Sequence, residues 1–139
     1  MSIPDLVEQL DRLMRKVDAE MHRLMQSVDD ADIGPLGTIT LQRLSRIAPT
    51  PAHALVEAMG RDASQVSRVI GRLEARQLVS KTMHPADKRL SILTLTETGK
   101  AHVDKVDATL ETIVAGVFEP LSQDEHAQLL TMLKKLTRG

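Results

Sequence analysis

The chain has 139 residues, a formal net charge of −1 and 42% hydrophobic content, yet aromatics make up only 1%, with Phe118 their single representative. A core must therefore be built from Leu, Ile, Val and seven Met, which suits packed helices better than a β-sandwich. The same scarcity excludes base stacking on aromatic platforms, and the absence of cysteine excludes disulfides, thiolate zinc sites and thiol redox sensing.

This length predicts a single domain, with residues 1–30 and 97–138 as long helices around a lobe at 36–95. No apolar run approaches 18 residues and the first residues lack a signal-peptide pattern, so a cytoplasmic protein with no membrane partner is expected. Charge is segregated along the chain. Between Arg43 and Leu90, nine Lys/Arg face four Asp/Glu, and the acidic excess lies in the flanks.

From Ile3 to Val28, apolar residues Ile3, Val7, Leu10, Met14, Val17, Met21, Leu24 and Val28 alternate in steps of 4 and 3. That heptad seam predicts one long helix packed lengthwise on others. Asp29, Asp30 and Asp32 end it, and Gly34-Pro35 punctuate the chain. A shorter helix is predicted over Leu36–Ile47, with Ile39, Leu44 and Ile47 apolar. After Pro49-Thr50-Pro51, Thr50 is expected to cap a third helix that has Pro51 in first position and runs to Met59, burying Leu55, Val56 and Met59. Gly60 supplies a left-handed cap.

The next stretch, Asp62 to Leu78, is predicted to be a helix capped by Asp62, with Gln65 as the return half of a capping box. Val66, Val69, Ile70, Leu73 and Gln77 fall on one side at 3.6 residues per turn. Ser64, Arg68, Arg72 and Ala75 fall on the other, with Gln65 and Ser67 at the margins. The outer side thus offers hydroxyls, an amide and two guanidiniums one turn apart, groups that match phosphate oxygens and the acceptor edges of guanine. Two helices joined by a tight glycine turn, the second basic outside, form the helix-turn-helix pattern.

The period then changes. Leu78–Met83 and Leu90–Leu95 are rich in β-branched and apolar residues and flank the polar run from His84 to Arg89, predicting a β-hairpin with a basic tip. Asp87 is spaced to hydrogen-bond the Arg89 guanidinium and hold it extended toward a minor groove. Thr96 is expected to cap the following helix, Glu97–Phe118, whose Val103, Val106, Leu110, Ile113 and Val117 again step by 3 and 4. Pro120 stops it. Ser122 and Glu125 form a capping box for a last helix with a Leu129, Leu130, Leu133, Leu136 stripe.

The run Asp87-Lys88-Arg89-Leu90-Ser91-Ile92-Leu93-Thr94-Leu95-Thr96-Glu97-Thr98-Gly99 resembles the D-x-R-x-x-x-L-x-L-T-x-x-G signature of the MarR family of transcriptional regulators. Val66-Ser67-Arg68 and Arg72-Leu73-Glu74 resemble the family's V-[ST]-R and R-L-E elements, so the likeness spans about Leu36 to Gly99. Gln77 departs from it, standing where the family usually has glycine. The resemblance implies a mainly α fold with a small β-hairpin wing, a winged helix-turn-helix core between terminal dimerisation helices. It also implies a homodimer that binds double-stranded DNA at a pseudo-palindromic operator, as a repressor released by a small-molecule effector. Ser64, Gln65, Ser67, Arg68, Arg72 and Arg76 would then line the helix that enters the major groove, and Lys81, His84, Asp87, Lys88 and Arg89 the wing.

Competing readings come from other classes. A metal-responsive regulator needs histidines that converge, but His22, His53, His84, His102 and His126 are scattered without ligand spacing. A helical adaptor that binds no DNA has no use for the Asp87–Arg89 hairpin. No nucleophile elbow, phosphate-cradling glycine loop or His-x-x-x-His pair is present, so no catalytic residue, metal ligand or cofactor is expected.

Overall fold

A computed structural model describes residues 2–28, 31–87 and 89–138. Its elements run α1 (Ile3–Val28), α2 (Gly34–Ile47), β1 (Thr50–Pro51), α3 (Ala52–Met59), α4 (Ala63–Ala75), β2 (Val79–Met83), β3 (Ser91–Leu95), α5 (Glu97–Phe118) and α6 (Gln123–Thr137). Their contacts divide into two compact units, Leu24–Ala108 and the pair of segments Met1–Arg23 and Thr109–Gly139.

The Leu24–Ala108 unit is built on Leu41, Leu44, Leu55, Val66, Leu73, Leu78 and Leu93, all essentially removed from water. Each such leucine contributes roughly 1.5–3 kcal/mol relative to an exposed one. In α2 the buried face is Gly37, Thr40, Leu41 and Leu44, a helical i, i+3, i+4, i+7 set. Of the three apolar residues expected to mark this helix, only Leu44 enters the core. Ile39 and Ile47 remain 41% and 38% exposed, because they lie off the arc centred on Leu41 and Leu44. The helix also starts at Gly34, two residues before the expected Leu36. Gly34 adopts φ +71° and Pro35 occupies the first turn, where its missing N–H costs nothing.

Thr50 does not cap α3. Both neighbouring prolines favour extended backbone, and Thr50–Pro51 instead form β1, paired antiparallel with β3 through Thr50↔Leu93 and Pro51↔Ile92. Pro51 is the N-cap of α3, without a side-chain bond. Gly60 closes α3 in the left-handed conformation, φ +60°, as expected. The three-stranded antiparallel sheet has the order β1-β3-β2, with the β2–β3 hairpin in register from Val79↔Leu95 to Met83↔Ser91.

Within Met1–Arg23 and Thr109–Gly139 the regular elements among the described residues are all helices. Ser2 and Asp5 form a reciprocal cap at the start of α1, and Ser122 and Glu125 form the expected box at the start of α6. Both carboxyls sit below the usual carboxylate range, chiefly because the cap groups of Ser2 and Ser122 donate to them. Ile113 and Val117 are buried. Ile3, Val7, Leu10 and Met14 of α1, and Leu130, Leu133 and Leu136 of α6, stay exposed.

Among the described residues, no helix is long and apolar enough to cross a membrane.

Candidate nucleic-acid interface

α4 owes its direction to its two ends. At the start, Asp62 Oδ1 accepts from Gln65 N–H at 2.9 Å, the Asp62 half of the expected box. Val66, Ile70 and Leu73 then lock one face into the core, with Val69 half-buried at its edge. At the far end, Gln77 N–H donates to Glu74 O (2.9 Å) and Leu78 N–H donates to Leu73 O (3.0 Å), the paired bonds of a Schellman turn. Leu78 and Leu73, both buried, supply its hydrophobic contact. Gln77 is therefore not on the helix's apolar side. It follows the helix, exposed, at φ +61°, the conformation that glycine adopts without strain.

With that face fixed, Ser64, Gln65, Ser67, Arg68 and Arg72 all point to solvent. Among the described residues, neither Arg68 nor Arg72 has a carboxylate partner. Two other expected cations, one just after α4 and one on β2, are engaged. Arg76 donates to Asp32 Oδ2 at 3.1 Å, and Lys81 lies 3.9 Å from Glu74. The Asp32 contact spans 44 residues of sequence, and no local pattern announces it.

On the wing, Asp87 holds Arg89 as expected. Its Oδ1 accepts from both the backbone N–H (3.0 Å) and Nε (3.1 Å) of Arg89, while Oδ2 accepts from a terminal guanidinium nitrogen at 3.4 Å. The Arg89 side chain is 91% exposed, so the carboxylate orients it without covering it. These Arg89 bonds hold the Asp87 carboxyl below its ordinary range. His84 Nδ1 accepts from Ala86 N–H at 3.0 Å, and His84 N–H donates to Leu90 O at 2.9 Å, so this histidine shapes the turn. Lys88 lies outside the described residues.

Two further residues seat the wing and α5. Thr96 Oγ1 accepts from Gly99 N–H (3.0 Å), confirming the cap, and also donates to Gln77 O (2.6 Å). Gly99 packs so closely on Leu78 that a Cβ there would overlap Leu78 O and lie 3.0 Å from its carbonyl carbon. The signature's threonine and glycine thus have local physical reasons. Nearby, a hollow of about 570 Å³ is lined by residues including Ser45, Pro49, Thr94, Leu95, Val103 and Asp104. Among the described residues, no group of three or more His, Asp or Glu is arranged to hold a metal ion.

An exposed hydrogen-bonding helix beside a clamped arginine on a hairpin is a surface suited to duplex DNA. Comparison with known proteins points the same way. The model of the MarR family matches residues 38–91, which run from within α2 to the first residue of β3. The HTH-type transcriptional repressor NicR of Pseudomonas putida is 28% identical over 133 residues, covering 95% of this chain and 84% of that one. Among solved structures, YusO of Bacillus subtilis superposes with a TM-score of 0.75 at 25% identity, over 98% of this chain and 97% of that one. BpsR of Bordetella bronchiseptica, whose DNA binding is regulated by 6-hydroxynicotinic acid, does so with a TM-score of 0.68 at 27% identity, over 94% and 99%. The fold is thus the expected mainly helical winged helix-turn-helix, and within it residues 38–91 match the model of the MarR family.

Proposed function

We propose that this chain is a sequence-specific double-stranded DNA-binding repressor that acts as a homodimer on a pseudo-palindromic operator. The observation that carries this reading is the pair of uncommitted guanidiniums, Arg68 and Arg72, one turn apart on the exposed side of α4. With Ser64, Gln65 and Ser67 they can bond base edges and phosphates in a major groove, while Arg89 follows the adjacent minor groove. Arg76, Lys81, His84 and Lys88 add phosphate contacts at the rim, and Asp87 orients Arg89. Residues 36–95 form the DNA-binding lobe, and 1–30 with 97–138 the dimerisation helices.

The exposed apolar residues on α1 and α6 support the dimer, since a second copy of the chain is the simplest cover for both. Two such recognition helices in successive major grooves would stand roughly 34–36 Å apart. A small-molecule effector releases the DNA by binding the competent and incompetent spacings with different affinity. BpsR's response to 6-hydroxynicotinic acid supports an effector, and the hollow of about 570 Å³ offers room for one.

Selection of duplexes from a random pool at fixed salt is the direct test. Enrichment of a two-fold symmetric sequence is expected. Recovery of no sequence preference by a folded protein would refute the assignment.

A further inference from the structure

We infer that Thr96 is a positioning residue for DNA reading: its hydroxyl ties the exit of α4 to the first turn of α5 and fixes the angle at which α4 is presented. This rests on the DNA-reading role given to α4 above.

Besides the first helical bond of α5, from Lys100 N–H to its carbonyl oxygen, three bonds converge on Thr96. Its N–H donates to Leu78 O (3.1 Å), its hydroxyl accepts from Gly99 N–H (3.0 Å) and the same hydroxyl donates to Gln77 O (2.6 Å). Starting a helix needs only the accepting bond. The donated one reaches back 19 residues to the turn that ends α4, and capping does not explain it. Its acceptor belongs to Gln77, the residue held at φ +61° without being glycine, a conformation that persists only where the surroundings enforce it. Gly99 removes the remaining freedom, because its Cα side lies directly on Leu78 O. Residues 77, 78, 96 and 99 therefore make one rigid knot at the C-terminal end of α4.

A pivot there has leverage. Thirteen residues at about 1.5 Å rise give a helix of roughly 20 Å, so a tilt of about 5° at the knot displaces the Ser64 end by about 1.7 Å. A base-edge hydrogen bond does not survive such a displacement. The Thr96 hydroxyl thus acts on recognition without touching DNA.

Three variants separate its duties. Thr96→Ser keeps both hydroxyl bonds. Thr96→Asp keeps the cap to Gly99 N–H but has no proton to give Gln77 O. Thr96→Val keeps neither. The probes are the duplex selected by the wild-type protein, the same duplex with one base pair inserted at its centre, and a scrambled duplex. Thr96→Ser should hold the selected-to-scrambled affinity ratio within about twofold of wild type. Thr96→Asp and Thr96→Val should lower it by about 5–10-fold, the worth of one hydrogen bond, and should blunt the discrimination against the insertion. The added charge of the aspartate weakens selected and scrambled DNA alike and cancels in the ratio. If Thr96→Val fails to fold, Thr96→Asp decides. A Thr96→Asp protein that keeps the wild-type ratio and spacing preference overturns the inference, as does one that loses its helical circular dichroism, since the bond would then serve stability alone. A wild-type protein without sequence preference refutes the proposed function instead.

Discussion

Gln77→Gly should stabilise this protein, although it deletes a side chain from a helix end. Gln77 sits at φ +61°, where an L-residue is disfavoured by roughly 1–2 kcal/mol and glycine is not. The position must stay in that conformation, because Gln77 N–H and Leu78 N–H close the Schellman turn on Glu74 O and Leu73 O. The side chain is exposed, and both hydrogen bonds recorded at this residue use its backbone, so truncation loses little. Against the relief stands the larger backbone freedom of glycine in the unfolded chain, about 0.5–1 kcal/mol. The expected net gain is about 0.5–1 kcal/mol, or a rise in midpoint of roughly 2–5 °C. Thermal and urea unfolding, followed by circular dichroism at one fixed protein concentration, measure it, because an associating protein melts in a concentration-dependent way. Gln77→Ala is the control: alanine suffers the same left-handed penalty and should stay within about 0.5 kcal/mol of wild type. A neutral or destabilising Gln77→Gly, with Gln77→Ala unchanged, would refute the idea that backbone strain is stored here.

Gly99→Ala should do the reverse, costing about 2–4 kcal/mol in urea unfolding, because Leu78 O and its carbonyl carbon occupy the space a Cβ needs and backbone cannot swing aside as a side chain can. Arg68→Ala should relax preference at one operator position and cost about 1–3 kcal/mol per base contact, whereas Arg89→Ala should weaken specific and scrambled DNA alike and reduce the salt slope by roughly two for a dimer; titrations at several salt concentrations distinguish them. Because the folded Asp87 carboxyl lies below its ordinary range, its hold on Arg89 is complete above the unfolded value and is lost as pH falls through the folded one, so the Arg89 contribution to DNA binding should be flat from about pH 5 to 8; a change there upon Asp87→Asn, absent at lower pH, fits this sign, and a loss already complete at pH 6 does not. Sedimentation should find a dimer at micromolar concentration that Leu133→Lys weakens, and a folded wild-type monomer would contradict the role given to the α1 and α6 apolar residues.

How much of this was legible in the sequence depended on whether a feature repeats. The bounds of α1 follow from apolar residues spaced by 3 and 4 from Ile3 to Val28, and those of α5 from the same spacing over Val103–Val117 together with the Thr96 cap and the Pro120 stop; the helices run over Ile3–Val28 and Glu97–Phe118 as predicted. The buried side of α4 followed from Val66, Ile70 and Leu73 in the same way. β1 could not be found like this. Two residues have no period, and Thr50-Pro51 looks equally like the start of a helix until β3 is there to pair with it. In α2 the buried side includes Gly37 and Thr40, which no apolar count would select: Gly37 is buried against Ile33, and Thr40 hides its hydroxyl by donating to Leu36 O at 2.7 Å. Arg76 read as one more outward cation because its partner, Asp32, comes near only through the fold.

The division between free and engaged cations follows from that same point. Sequence alone favours Arg68 and Arg72 over Arg76 and gives Arg89 a minor groove, but it does not show which of these cations or Lys81 already has a partner. In the structure, Arg76 and Lys81 already face Asp32 and Glu74, so DNA must compete for them. The competition is shallow, since exposed ion pairs contribute only about 0–1 kcal/mol and are screened by salt. These two cations should therefore add to binding through general attraction at low salt and contribute little to the choice of sequence. Arg89 is different again: Asp87 removes rotamers without removing exposure, so less ordering remains to be done when the wing meets a groove. That leaves Arg68 and Arg72 as the guanidiniums on α4 with no carboxylate among the described residues to satisfy them. Their full hydrogen-bonding capacity is open to a base edge. Sequence preference should thus concentrate in the first three turns of α4, and its last turn and the wing should supply affinity.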